Sequence, residues 1–211
     1  MRESQLTGRL RLRHLMEHAE AVDWEMAEDR QRFNRLAKDE SKPRVVSAFN
    51  LFQTPEPLAA RVAAMTKAGR ALEPSAGLGS LYRAVRSISA GCHITLVEQS
   101  AECCGELYRA TEADSNCKLI QGNFLDCSPA ELGLFDSVLM NPPFKQGRDI
   151  KHVRHALTFL VPGGRLVALC ANGPRQREQL QPIAAQWIEL PKASFQEAAT
   201  NVSTAIVVIE K

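Results

Sequence analysis

The chemistry of this chain is concentrated at Asn141-Pro142-Pro143-Phe144, directly after the short apolar run Ser137-Val138-Leu139-Met140. An asparagine and two prolines at the end of a buried strand are a poor structural choice unless that strand end has a task. Asn141 supplies a side-chain carbonyl oxygen as acceptor. The prolines fix φ near about −65° and carry no N–H, so the backbone carbonyls around them are held rigidly and face outward. Phe144 adds a flat apolar surface. Two acceptors and a ring make a slot for a planar group bearing NH₂, on a nucleobase or an amide.

A second bend has the composition of a ligand loop. Arg70-Ala71-Leu72-Glu73-Pro74 predicts a short strand ending at an acid, and Ser75-Ala76-Gly77-Leu78-Gly79-Ser80-Leu81-Tyr82 predicts a glycine turn opening into a helix. That order brings backbone N–H groups close to a ligand. A dinucleotide site would want a third small residue where Tyr82 stands, and a pyrophosphate favours a helix start free of acid. P-loop spacing and its lysine are also absent. Next, His93-Ile94-Thr95-Leu96-Val97-Glu98 predicts a second strand ending in an acid, and Glu98 follows Glu73 by 25 positions. A carboxylate about 20 residues on meets ribose hydroxyls in such folds, although an acid at a strand end is also a common surface feature.

Together these stretches resemble the amino-group methyltransferases that use S-adenosylmethionine. Residues 141–144 resemble the family's Asn/Asp-Pro-Pro-aromatic signature, and residues 73–79 resemble its acid-Pro-x-x-Gly-x-Gly loop. Phe52-Gln53-Thr54-Pro55 resembles its N-terminal motif, where a loop closes over the methionine end of the cofactor. The resemblance covers about residues 48–211 and implies an α/β, Rossmann-like sheet of seven strands, mostly parallel with an antiparallel C-terminal strand. Residues 1–47 are expected to form an N-terminal helical segment and residues 48–211 the methyltransferase domain.

The implied cofactor is S-adenosyl-L-methionine. Its implied contacts are Phe52, Thr54 and Pro55 from the N-terminal motif, and Glu73, Pro74, Ser75, Ala76, Gly77 and Gly79 from the glycine bend. Glu98 would meet the ribose, and Asn123 and Phe124 the adenine, with Asn141 at the methyl end. The family usually has an acid where Asn123 stands; an asparagine oxygen can also accept from the adenine amino group, with less charge. Catalysis falls to Asn141, Pro142, Pro143 and Phe144, which take up the target amine. Phe144, Lys145, Arg148, Phe195 and Asn201 are the candidate substrate contacts. No metal is implied.

The expected reaction is methylation of an exocyclic amino group of a nucleobase, adenine N6 in DNA ahead of RNA. The alternatives are an RNA adenine or guanine amino group, a protein glutamine amide, and a cofactor-binding partner of another catalytic chain. The glutamine group usually carries Tyr at the last motif position, so Phe144 weighs against it. No separate target-recognition domain remains once the core motifs are assigned. Either specificity is then loose, or the N-terminal helix or a protein partner reads the target.

Further elements must hold these bends in place. Residues 118–124 predict a third strand, Phe135 to Met140 a fourth, and residues 165–170 a fifth after the turn Pro162-Gly163-Gly164. Residues 187–191 and 204–209 predict a terminal antiparallel pair whose connection carries Phe195, Thr200 and Asn201. Thr54 is expected to cap a helix with Pro55 in its first turn. Lys145, Arg148, Lys151, His152, Arg154 and His155, with Asp149 the only acid among them, predict a basic rim or a plain solvated helix start.

The rest of the chain restricts rather than specifies. With 211 residues and a formal net charge of +2, it has room for one substantial core and no overall polyelectrolyte character. Leu12, Leu15, Ala19, Val22 and Met26 recur at helical steps, and Arg9, Arg11 and Arg13 nearby suit either phosphates or solvent. His14-Leu15-Met16-Glu17-His18 has the order of one zinc peptidase class but lacks the surrounding strand or cleft. The six cysteines show no C-x-x-C spacing and read as free thiols. Neither a membrane-length apolar run nor a signal-peptide core is present, so a cytoplasmic location is expected.

Overall fold

The apolar runs condense into a seven-stranded sheet of order β3-β2-β1-β4-β5-β7-β6. Its strands are β1 (Arg70–Pro74), β2 (His93–Glu98), β3 (Cys117–Gln121), β4 (Phe135–Met140), β5 (Leu160–Ala171), β6 (Gln186–Glu189) and β7 (Thr204–Glu210). The first five pair in parallel, whereas β7 runs antiparallel to both β5 and β6. The computed structural model describes residues 53–191 and 203–211, which belong to the compact unit Ser47–Lys211. The expectations for the helical segment 1–47, its boundary, Phe52, Phe195, Thr200 and Asn201 lie outside the described residues.

Strands buried on both faces read as near-continuous apolar runs, and alternate side chains then serve two separate cores. Leu139, Val167 and Leu169 join Leu58 and Val62 of α1 (Glu56–Ala64), Leu81 and Val85 of α2 (Ser80–Ile88) and Leu107 of α3 (Ala101–Thr111). On the other face, Val138, Met140, Leu166 and Ala168 pack with Ile150, Val153 and Ala156 of α5 (Arg148–Ala156) and Leu180 of α6 (Pro174–Leu180). The short α4 (Pro129–Leu132) leads into β4, with Ser128 and Glu131 forming a capping box.

The chain winds outward from β1 to β3 and then returns to place β4 on the other side of β1, with Ala71 opposite Ser137 and Leu72 opposite Val138. This is the topological switch point, where the loops after neighbouring strands diverge and leave a crevice. The bends after β1 and β4 therefore flank one opening.

Three local expectations are corrected. β3 ends at Gln121, so Asn123 begins a turn (Phe124–Asp126) instead of finishing a strand; its Oδ1 accepts from the Leu125 N–H at 3.3 Å. Thr54 makes no capping bond to α1, because Pro55 is the capping residue and its carbonyl accepts from Leu58 and Ala59. β5 begins at Leu160 and bulges through Pro162–Gly164, since Phe135 lies opposite Leu160 but Ser137 lies opposite Arg165.

Candidate active site

Both bends open onto a single cavity of about 680 Å³, within the usual size for a small-molecule site. The β1 bend contributes Glu73, Ser75, Ala76, Gly77 and Leu78, and the β4 bend contributes Asn141, Pro142 and Pro143. Glu98, Ser100 and Glu102 come from the end of β2 and the start of α3, and Gly122 to Leu125 from the turn after β3. Gln53, Thr54, Arg148 and His152 complete the named walls.

The β1 bend alternates left-handed residues: Ser75 at φ 64°, Gly77 at 57° and Gly79 at 79°. Glycine adopts this region freely, but a serine there costs about 1–2 kcal/mol. Neighbouring bonds hold the conformation. The Ala76 N–H donates to the Val97 carbonyl at 3.0 Å, and the Gly77 N–H donates to Glu98 Oε2 at 2.7 Å. Ser75 Oγ lies 3.4 Å from Nδ1 of His152. An alternating bend of this kind ordinarily cradles an anion. In this protein an anion of the chain itself, Glu98, has taken the Gly77 N–H, and a phosphate would meet Glu73 behind it.

Glu73 is only 2% exposed, and its Oε2 has no hydrogen-bond partner. Burial pushes its carboxyl well above the usual value; a bond from the Tyr82 N–H and the charge of Arg83 oppose the shift, and Glu98 adds to it. A buried carboxyl oxygen left unpartnered at a cavity wall costs stability unless a donor meets it there. Three acids and one arginine line this cavity, which favours a cationic ligand. S-adenosylmethionine, with its ammonium and sulfonium, fits this donor set, and a pyrophosphate does not.

On the opposite side, Asn141 Nδ2 donates to Thr54 Oγ1 at 3.0 Å. Pro142 is buried and Pro143 half-buried. The loop then turns through Gln146 and Gly147, both left-handed, into α5. Asp149, fully buried in the first turn of α5, anchors this helix. Its carboxylate accepts from the Ala171 N–H at 3.1 Å and from Gln176 Nε2 at 3.0 Å, as well as from the Ile150 N–H. Burial still leaves its carboxyl raised, because desolvation outweighs these donors.

The placement of the sequence candidates is selective. Thr54, Glu73, Ser75, Ala76, Gly77, Glu98, Asn123, Phe124, Asn141, Pro142, Pro143 and Arg148 reach the cavity wall. Pro55, Pro74, Gly79, Phe144 and Lys145 do not form part of it. Gly79 caps α2 and faces Leu107, where an added Cβ would meet Cδ2 at 2.8 Å. Phe144 packs against the core that contains Leu139. Phe124 is 2% exposed and sits among His152, His155 and Phe159 as well as at the wall.

The two histidines are not part of a basic rim. His152 is buried, and desolvation together with Arg148 and His155 brings it down to about 4, so it is neutral at ordinary pH. His155 Nε2 lies 3.1 Å from the Phe124 carbonyl and 3.0 Å from that of Cys127. Sequence reasoning missed Gln53, Leu78, Ser100, Glu102 and His152 as wall residues. Ser100 carried a usable signal: an N-cap serine two positions after a strand-end acid. Among the described residues, no group of three or more His, Cys, Asp or Glu is placed to hold a metal, and no helix is long and apolar enough to cross a membrane.

The strand order, the acid-and-glycine bend at the switch point and the shared cavity define a class I, S-adenosylmethionine-binding methyltransferase fold. Residues 41–189 match the family model described as "Methyltransferase small domain", and the chain belongs to that family. Its cofactor is S-adenosylmethionine. No curated protein sequence matches the chain. Among solved structures, TrmN from Thermus thermophilus aligns with a TM-score of 0.61 at 20% identity, over 74% of this chain and 48% of that one. The chain thus spans about half the length of TrmN. PH1948 from Pyrococcus horikoshii aligns at 0.62 and 16% identity, over 85% of this chain and 96% of that one. The 23S rRNA methyltransferase ErmE aligns at 0.58 and 15% identity, over 76% and 69%. At these identities the likeness is one of fold.

Proposed function

We propose that the chain is an S-adenosylmethionine-dependent N-methyltransferase whose acceptor is an exocyclic amino group of a nucleobase in nucleic acid, and that residues 48–211 carry the activity. The observation that carries this reading is the opening of the β1 and β4 bends onto one cavity. Adenine N6 in DNA stood first on sequence grounds. RNA now moves ahead, supported by the fold neighbour that acts on rRNA and by chemistry: a base in an RNA loop needs no extraction from a duplex.

The bound cofactor supplies a methyl group on a positively charged sulfur. Glu73, Glu98 and the bend at residues 75–77 hold it, with Asn123 and Phe124 at its adenine end and Thr54 at its methionine end. The Asn123 oxygen is shared with the Leu125 N–H, so its contact to an adenine amino group is the weaker for it.

An aromatic amine is a poor nucleophile because its lone pair is delocalised into the ring. Asn141 Oδ1 and the Pro142 carbonyl accept its two hydrogens, draw electron density onto nitrogen and offset the positive charge that develops there. Pro142 and Pro143 keep these acceptors rigid. Orientation of this kind contributes up to roughly 7–11 kcal/mol in favourable intramolecular cases. The proton is then lost to water. Phe144 serves by packing beneath the loop, while Lys145 and Arg148 face the phosphates flanking the target. A partner chain or the N-terminal segment reads the target sequence.

Transfer of tritiated methyl to RNA, DNA and bulk protein tests this reading, with Asn141→Ala as control. Label is expected in RNA and to fall by about 10²–10³ in the variant. Label in DNA alone moves the target to DNA. Label in protein alone overturns the nucleobase reading, and cofactor binding without transfer to any of them favours a supporting subunit.

A further inference from the structure

We infer that His155 is a positioning residue for the adenine ring of the cofactor and acts through the turn that follows β3. The inference rests on the reading of Asn123 and Phe124 as the adenine end of the site, and it is independent of which acceptor is methylated. Within residues 123–127 the bonds are local. The Asp126 N–H donates to the Asn123 carbonyl at 3.0 Å and the Cys127 N–H to the Phe124 carbonyl at 3.1 Å. The Asn123 side chain accepts from the Leu125 N–H and donates to Asp126 Oδ2. Such bonds give the turn its shape but do not set its place against the sheet.

His155 sets that place. Its Nε2 lies 3.1 Å from the Phe124 carbonyl and 3.0 Å from the Cys127 carbonyl, 31 and 28 positions away in sequence. A carbonyl oxygen only accepts, so the two contacts fix the proton on Nε2 and make it the donor to both. Among the described residues, these are the hydrogen bonds that join residues 123–127 to another element. The rings add to the brace: His155 meets Phe124 edge-on with centroids 4.8 Å apart, and Phe159 at 5.2 Å.

The mount is stiff. His155 stands in the last turn of α5, whose Ile150, Val153 and Ala156 are buried in the core. The first turn of the same helix is tied to Ala171 and Gln176 through Asp149. Asn123, Phe124 and Leu125 line the cavity, so a displaced turn would move the wall that an adenine meets. The helix that starts beyond the β4 bend therefore also sets the wall at the end of β3.

The test uses the full chain with His155→Leu, His155→Gln and His155→Asn. Two ligands are titrated calorimetrically: S-adenosylhomocysteine and its inosine counterpart, in which an oxygen replaces the adenine amino group. His155→Leu removes the donor. It should weaken S-adenosylhomocysteine binding about tenfold, the upper end for one neutral hydrogen bond, and reduce the preference for adenine over hypoxanthine by about threefold or more. A loss of folded chain alone would scale both affinities alike and leave that preference intact. Glutamine carries its amide nitrogen as far from Cβ as Nε2 is in histidine, with a hydrogen for each carbonyl, and should restore both quantities. Asparagine stops one bond short and should not. An unchanged preference in His155→Leu, full recovery in His155→Asn, or binding by His155→Gln no better than by His155→Leu would each overturn the inference. A wild type that binds the two ligands alike would overturn the adenine reading of the turn, and the inference with it.

Discussion

Glu98 clasps the glycine bend from the neighbouring strand: its Oε2 accepts from the Gly77 N–H at 2.7 Å, while its Oε1 accepts from the Ser100 N–H, also at 2.7 Å. One carboxylate thus ties together the bend after β1 and the start of α3. A glutamine at this position has one acceptor and one donor end, so it must place its NH₂ against one of the two backbone donors. Glu98→Gln should therefore weaken cofactor binding by about 10–100-fold, in line with the roughly 1.5–3 kcal/mol of a charged hydrogen bond. Calorimetric titration with S-adenosylhomocysteine measures this. Wild-type affinity in the variant would mean that the bend keeps its shape without the clasp.

Glu73 predicts a pH dependence of opposite sign to that of an ordinary paired acid. Its folded-state pKa is raised above 4.5, chiefly by burial, so folding favours the neutral carboxyl. The associated stability is complete at low pH and is lost as pH rises through the folded pKa. A cationic ligand favours the ionised form. Cofactor affinity should accordingly climb as pH rises from 4.5 through the elevated pKa and then level off, with a proton released on binding. Titration in two buffers of different ionisation enthalpy counts that proton. Glu73→Gln should flatten the profile, and a variant with the wild-type slope would place the titration elsewhere.

His152 acts in the other pH range. It falls from 6.5 to about 4 on folding, mainly through desolvation, with Arg148 and His155 adding to the effect. Its contribution to stability is present above the unfolded value of about 6.5 and is lost as pH drops towards 4. The difference corresponds to about 3 kcal/mol at most. Denaturant unfolding of wild type and His152→Asn at pH 7.5 and 4.5 isolates it, because other groups cancel in the comparison. The wild type should lose more stability than the variant on acidification; equal losses would show that His152 is solvated.

The sheet was legible because parallel strands covered on both faces must be apolar at nearly every position, as Val138-Leu139-Met140 and Ile94-Thr95-Leu96-Val97 are. Both bends were legible because proline, glycine and a strand-end acid have few other uses together. Hydroxyl and carboxylate partners were not. Thr54 preceding Pro55 satisfies every local rule for a helix cap, yet its hydroxyl bonds a residue 87 positions away. Asn123 looked like the end of a strand because Gln121-Gly122-Asn123 carries no clear break, whereas its side chain folds back onto Leu125. The histidines of α5 could have been read correctly. Arg148, Lys151 and Arg154 fall at three-residue steps and are exposed, which leaves His152 and His155 on the flank turned toward the core. Asp149 entered the same rim as a counter-charge, although it lies beneath the surface and is spent on Ala171, Ile150 and Gln176.

With His152 neutral, His155 turned to the Phe124 and Cys127 carbonyls and Asp149 buried, the outer face of α5 is a ridge of Arg148, Lys151 and Arg154 rising about 4.5 Å between neighbours, and it starts at the cavity, since Arg148 lines the wall. Lys145 precedes it, and Arg175 lies beside Gly147, where a Cβ would come within 3.2 Å of its Nη1. Among the described residues none of these cations is paired with a carboxylate, although Arg154 also leans on the Gln179 carbonyl at 3.4 Å. A nucleic-acid backbone following this ridge would release about 0.7 counterions for each phosphate neutralised on a single strand. Lys151→Ala with Arg154→Ala should therefore lower the slope of log affinity against log salt by roughly 1.4 for single-stranded RNA. Because phosphate contacts carry no sequence information, the loss should be similar for every RNA sequence, with kcat at saturating RNA unaltered. Fluorescence anisotropy across a salt series measures the slope. A variant slope equal to that of the wild type would place the RNA path on another face of the domain.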